Sequence, residues 1–324
     1  MQVSHGVAHS LNGMMVMNKT GWIFPGQGSQ KIGMGLDFYE QSDLAKRYFD
    51  KSEDILNCDI KSIIFNGPEN LLTKTENTQP AVYIVSVVIA YLLIQKGYQP
   101  TALAGHSLGE YSALTIAGAF DFDTGLKLVK ARSESMAKAG LIEKGSMAAI
   151  IGMDDKSVES ICDSFNNVGS TVVAANYNSP EQIVISGNKK SIIEAIGQAK
   201  KQGARLAVEL KVSGAFHSPL MSPAREELAH FLNSLEISDA SYPVYSNFDA
   251  KPIIKSSDIR NSLLKQLDNP VLWYQLIVNM KNNGILTFIE IGPGKVLQGL
   301  NKRIDKTLAC NSINSIITLE KNIV

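Results

Sequence analysis

The stretch ALAGHSLGEYSALTIAGAF, residues 102–120, leaves a chain few ways to fold. A short apolar run stops at a serine set between glycines, in the pattern G-x-S-x-G, and continues at once as a helix. That junction predicts a tight strand-to-helix turn, because glycines on both sides let the backbone pass closely without side-chain clash. The same strand, loop, helix rhythm recurs. GWIF (21–24) stops at PGQGSQ, and TFIEIG (287–292) runs through a GPG loop into the helix KVLQGLNKRI. Such alternation predicts a parallel sheet covered by helices.

The rhythm changes over residues 146–212. SMAAIIGM reads as strand, DDKSVESICDSF as helix, STVVAANYN and EQIVISG as strands, NKKSIIEAIGQAKKQG as a helix opened by Asn188, and ARLAVELKV as strand. The order βαββαβ is that of a ferredoxin-like unit. We therefore expect a small domain at 146–212, inserted in a large α/β domain built from 18–145 and 213–324. Residues 1–17, which contain the alternative starts Met14, Met15 and Met17, read as an appendage.

Composition removes several functions. The 31 acidic and 31 basic side chains balance without a long single-sign run, which argues against a nucleic-acid binder. The longest apolar run, AVYIVSVVIAYLLI at 81–94, is short of the roughly 20 residues that span a bilayer. It is expected to be a core helix. No charged start and apolar stretch mark a signal peptide. Cys58, Cys162 and Cys310 form no metal-binding spacing and are expected to be reduced, buried residues of a cytoplasmic protein.

Ser107, at the centre of GHSLG, is either a helix cap or a nucleophile, and its place between strand and helix favours the nucleophile. A serine hydroxyl needs a base. Of the five histidines, His5 and His9 lie in the appendage, His230 lies in a charged helix, and His106 points away from the serine if the strand alternates. His217 remains, in the loop VSGAFHSPL just after the small unit. Arg132 lies on an apolar stripe with Leu128, Val129 and Met136. A guanidinium there requires an anionic partner: an internal carboxylate, or the carboxylate of a substrate. IGPGKVL at 291–297 lacks the first glycine and the Ser/Thr of a phosphate loop, and GQGSQ falls short of a dinucleotide fingerprint.

Taken together, FPGQGSQ (24–30), TQPAVY (78–83), GHSLGEYSAL (105–114), the Arg132 helix, NSPEQIVISG (178–187), GAFHS (214–218) and IGPGKVL resemble the malonyl-CoA:acyl carrier protein transacylases of bacterial fatty acid synthesis. The resemblance runs in order from about residue 20 to residue 305. It implies an α/β-hydrolase-like large domain with an inserted ferredoxin-like domain, and a Ser107 that carries the malonyl group as an ester with His217 as base. It also implies an oxyanion hole from the backbone N–H groups of Gln27 and Leu108, and a malonate carboxylate held by Arg132 with Gln79 nearby. The histidine would be oriented by a backbone carbonyl around Gln266 rather than by an acid. The implied partners are malonyl-CoA, the phosphopantetheine arm of holo acyl carrier protein and coenzyme A as product; a monomer is the default expectation, and charge balance and run length leave neither nucleic acid nor membrane as an expected partner. A thioester is reactive enough that no metal or redox cofactor is needed. Lys200, Lys201 and Arg205 could meet an acidic partner.

Three other readings compete. An esterase or lipase uses the same elbow with an acidic residue between serine and histidine, where Asp154, Asp155 and Asp163 lie. Arg132 argues against it, since a neutral ester gives no reason to bury a cation. A non-catalytic carrier-binding module would be expected to lack Ser107 or His217. A transacylase serving a polyketide or malonate decarboxylase system shares the same motifs.

Overall fold

The computed structural model describes residues 19–166 and 170–321; the appendage expected at 1–17 lies outside them. Among the described residues ten strands are formed: β1 (Thr20–Phe24), β2 (Ala102–Gly105), β3 (Gly145–Ile151), β4 (Val172–Ser179), β5 (Gln182–Asn188), β6 (Leu206–Glu209), β7 (Val244–Tyr245), β8 (Pro252–Ile253), β9 (Thr287–Ile291) and β10 (Ala309–Ile313). Six make one sheet in the order β10-β9-β1-β2-β7-β8. Its pairings are parallel except for β7 with β8 at the edge. Parallel strands need helices on both faces, and their apolar character follows from that burial.

The apolar run at 81–94 belongs to the longer helix Thr75–Gln95, and 83% of that helix's most apolar stretch is buried inside the protein. It packs against the helix Phe122–Ile142, which carries Arg132. That second helix starts where Asp121 accepts a hydrogen bond from the Thr124 N–H at 2.8 Å, a side-chain cap that satisfies one of the free donors of its first turn.

The other four strands form an antiparallel sheet, β4-β5-β3-β6, with the helices Asp155–Asn166 and Lys189–Lys201 against it. Alternation along a strand gives this sheet two different faces. Ala148, Ile150, Ile183 and Ile185 pack under those two helices, while Met147, Ala149 and Val184 join the core of the larger unit. The units are also tied by backbone: Tyr177 N–H donates to Val271 O and Val271 N–H to Ala175 O, both at 2.9 Å.

One expectation needs correction. Cys58 is exposed, not buried, because it falls in the turn between the helix ending at Leu56 and the one beginning at Ile60; Cys162 is buried and Cys310 half-buried. Asn188 opens the helix Lys189–Lys201 as expected, from the N-cap position, but its side chain makes no capping hydrogen bond. Its side chain accepts instead from the Thr171 N–H and donates to Glu143.

Candidate active site

The C-terminal ends of β1 and β2 carry the loops that build the site. At the elbow, a Cβ on Gly105 would lie 1.8 Å from the carbonyl carbon of Gly109, and one on Gly109 would lie 2.0 Å from the oxygen of Phe24. Only glycine permits that approach of strand, turn and helix. Ser107 is held in the left-handed region at φ 51°, a conformation that persists only when its surroundings impose it. Asn247 does so: its side-chain oxygen accepts from the Ser107 N–H at 2.6 Å and its amide donates to Gly105 O at 2.6 Å, bracketing the turn.

The serine oxygen lies 2.8 Å from Nε2 of His217. On the far side of the ring, Nδ1 lies 2.8 Å from the backbone carbonyl of Gln266. A carbonyl only accepts, so Nδ1 carries the proton and Nε2 offers its lone pair to the serine hydroxyl. Burial, with the Arg132 charge adding to it, pulls the imidazole down to about 3, so the ring is neutral near pH 7 and free to act as a base. His217 also has a left-handed backbone, at φ 58°.

Arg132 is 1% exposed. One terminal nitrogen donates to the Gln79 side-chain oxygen at 2.5 Å; the other donates to Ser107 Oγ and to the Gln266 side-chain oxygen, each at 3.0 Å. Tyr111 lies under the guanidinium, 5.1 Å from its ring centre. Among the described residues no carboxylate forms a salt bridge with it. The internal ion pair allowed by the sequence is therefore not there, and a buried cation faces the serine with only neutral hydrogen-bond partners.

Gln27 follows Gly26, where a Cβ would lie 2.4 Å from His106 O, so the loop after β1 runs hard against the elbow. Neither the Gln27 N–H nor the Leu108 N–H finds an acceptor among the described residues. Leu108 stands at the N-terminal end of the helix Gly109–Ile116, where free N–H groups and the helix dipole favour negative charge. His106 turns away from the serine and meets the Asn178 side chain at 2.8 Å. Asp154 bonds to Ser157, and Asp155 and Asp163 belong to the helix Asp155–Asn166; the acid expected of an esterase triad is absent from the Nδ1 position, which Gln266 O occupies.

Gln27, Gln79, Ser107, Leu108, Arg132 and His217 line a cavity of about 250 Å³ between the parallel sheet and the antiparallel one. Met136, Met147, Phe216 and Val212 supply apolar wall, and Val296, Leu297 and Leu300, from the helix Val296–Ile304, supply another side.

Sequence reasoning missed the groups beneath the elbow. Glu110 is wholly buried, and its carboxylate accepts from Gln266 Nε2 at 2.7 Å, the Asn247 N–H at 3.1 Å and Ser262 Oγ at 3.2 Å. One signal was available, since Glu110 is the sole charged residue in the helix that follows the serine. Asn247 and Ser262 lie in segments with no local mark of a role.

The model of the family described as acyl transferase domain matches residues 21–322. The chain belongs to that family. A malonyl CoA-acyl carrier protein transacylase of Bacillus subtilis (strain 168) is 43% identical over 304 residues, covering 94% of this chain and 96% of the relative. One of the same name from Synechocystis is 42% identical over 298 residues, covering 92% and 98%. Among solved structures, an acyl carrier protein S-malonyltransferase from Vibrio cholerae superposes with a TM-score of 0.91 at 40% identity, covering 94% of this chain and all of that one. A malonyl-transacylase solved in complex with its type II PKS acyl-carrier protein also gives 0.91, at 38% identity, covering 94% and 99%. The α/β fold and its parallel-dominated sheet match this acyl transferase family.

Proposed function

We propose that this protein moves a malonyl group from malonyl-CoA through an ester on Ser107 to the phosphopantetheine thiol of holo acyl carrier protein, supplying fatty acid elongation. The observation that carries the reading is the buried Arg132 guanidinium, 3.0 Å from Ser107 Oγ and without a carboxylate partner. A serine acylated by malonate places a free carboxylate one methylene from the ester carbonyl, within the reach of that cation. Relatives named as malonyl transacylases support the choice of acyl group and acceptor.

In the first half-reaction Ser107 Oγ attacks the thioester carbonyl as His217 Nε2 takes the hydroxyl proton. The oxyanion forms towards the N–H groups of Gln27 and Leu108, which stabilise charge that the ground state lacks. Collapse breaks the carbon–sulfur bond, and coenzyme A leaves with the proton from His217. In the second half-reaction the carrier thiol gives its proton to His217, its sulfur attacks the ester, and Ser107 recovers the proton. Gln79 and Gln266 hold the guanidinium in place between turnovers.

We read the large unit, 18–145 with 213–324, as α/β-hydrolase-like and the small one, 146–212, as ferredoxin-like; the strand order β4-β5-β3-β6 with two helices on one face supports the latter. A monomer suffices, because every group named comes from one chain.

Mixing the protein with malonyl-CoA and holo carrier should yield malonyl-carrier and free coenzyme A in equal amounts, with no transfer by Ser107→Ala. Release of free malonate in preference to transfer would favour the hydrolase; no turnover of any kind would favour a binding module.

A further inference from the structure

Glu110 is buried beneath the elbow, and among the described residues no salt bridge engages it. Burying an unpaired carboxylate is costly, and packing alone would be served better by a neutral side chain. What the carboxylate adds is three acceptor contacts of fixed polarity. Two go to residues that in turn hold the reacting groups.

Gln266 directs its NH₂ at Glu110 and at Ser107 O, 2.9 Å away, which leaves its side-chain oxygen facing Arg132 and its backbone carbonyl facing His217. A flipped amide would aim donors at the guanidinium. Asn247 gives its N–H to Glu110 while its side chain brackets Ser107. The third donor, Ser262, is linked beyond Glu110 to Ser246, at 2.6 Å, and among the described residues its hydroxyl bonds to none of the reacting groups.

We propose that Glu110 is a positioning residue for acyl transfer, whose carboxylate fixes the polarity of the Gln266 amide and the place of Asn247, and through them the placement of Arg132, His217 and Ser107. The inference rests on the transferase reading above.

Protonation state gives it a readout. Burial lifts the Glu110 carboxyl to about 7, against the hydrogen bonds from Gln266, Asn247 and Ser262 and the Arg132 charge, all of which lower it. The charged and titratable groups acting on it are Arg132, from the helix Phe122–Ile142, and Tyr111, on its own helix. From the segments bearing Asn247, Ser262 and Gln266 the groups that reach it are uncharged donors; Asp249, Asp258, Arg260 and Lys265 on those segments are engaged with Lys251, Ser257, the Leu232 and Leu235 carbonyls and the Phe248 ring. A protonated Glu110 would turn an O–H towards groups that donate, and the arrangement above it would loosen. Acylation should therefore fall as pH drops through about 7, where His217, neutral down to about 3, contributes no change.

The test measures the rate of malonyl-serine formation from malonyl-CoA by rapid quench and intact mass across the neutral range. Three full-length proteins are compared: wild type, Glu110→Gln and Ser262→Ala. Glu110→Gln should acylate about tenfold to a hundredfold more slowly and lose the acidic limb, as expected of misplaced reacting groups. Ser262→Ala removes a donor that favours the ionised carboxylate, so its limb should move to higher pH with the plateau rate within about threefold of wild type. Ser262→Ala decides the matter even where Glu110→Gln does not fold. An unmoved limb in Ser262→Ala, or a wild-type rate and limb in Glu110→Gln, would overturn the proposal. Absence of malonyl-serine in wild type would instead contradict the transferase reading itself.

Discussion

Replacing Arg132 by alanine separates a cation that reads the substrate from one that merely fills the core. A hydrogen bond to a charged group is worth about 1.5–3 kcal/mol, and a forked pair about twice that. In the free protein both terminal nitrogens already have neutral partners, on Gln79, Gln266 and Ser107, and the incoming carboxylate must displace at least the serine contact. The net gain therefore lies near the low end, about 3–4 kcal/mol, or a factor of about 10² to 10³ in kcat/KM. Arg132→Ala should lose that factor for malonyl-CoA and keep or gain activity with acetyl-CoA, which has no carboxylate to hold. Arg132→Lys should fall between, since an ammonium keeps the charge without the fork. The assay is kcat/KM for the two thioesters with the same carrier, read as a ratio, because loss of folded protein cancels. An unchanged malonyl-to-acetyl ratio in Arg132→Ala would refute the assignment and make the arginine structural.

Other expectations follow from the same geometry. Unfolded, His217 takes up a proton near its ordinary 6.5, whereas folded it stays neutral to about 3, so the unfolded chain binds the extra proton in that window. Its contribution to stability is complete above pH 6.5 and is lost on acidification towards pH 3, at about 1.4 kcal/mol per pH unit. Glu110 acts oppositely between its ordinary 4.5 and about 7, where the folded state binds the extra proton. The stability difference between wild type and His217→Ala, from urea titrations, should therefore shrink as pH falls below 6; a difference independent of pH would contradict a buried neutral imidazole. Gly109→Ala, whose new methyl would meet the backbone of Phe24, should cost about 3 kcal/mol and abolish acylation. Gly197→Ala, in a helix with nothing within 4 Å, should instead gain up to about 1 kcal/mol; equal effects at the two sites would show that close backbone approach is not what requires the elbow glycines.

The parts legible in the sequence were those whose physics is local. The elbow at Ser107 announces itself because turn, strand end and helix start are contiguous, and the Arg132 anomaly appears because helical periodicity marks an apolar stripe without knowledge of its neighbours. The βαββαβ order likewise survives as a four-stranded antiparallel sheet, since its strands are adjacent in sequence. His217 could be reached by elimination among five histidines, but its orienting group could not: a backbone carbonyl leaves no trace in residue type, and Gln266 came only from family resemblance. The bonds from Glu110 to Asn247 and Ser262 span 137 and 152 residues, so nothing short of the fold brings them together. Cys58 failed for a similar reason, because cysteine's general preference for burial was overridden by its position in a turn between two helices.

Whether Ser107 carries malonate as an ester is read out by intact mass spectrometry of the protein after brief exposure to malonyl-CoA. The protein should gain one malonyl group, mapped to the peptide containing Ser107, absent in Ser107→Ala and discharged by holo acyl carrier protein. An unmodified wild-type protein that still transfers malonate, or an adduct that persists in Ser107→Ala, would contradict an ester on Ser107.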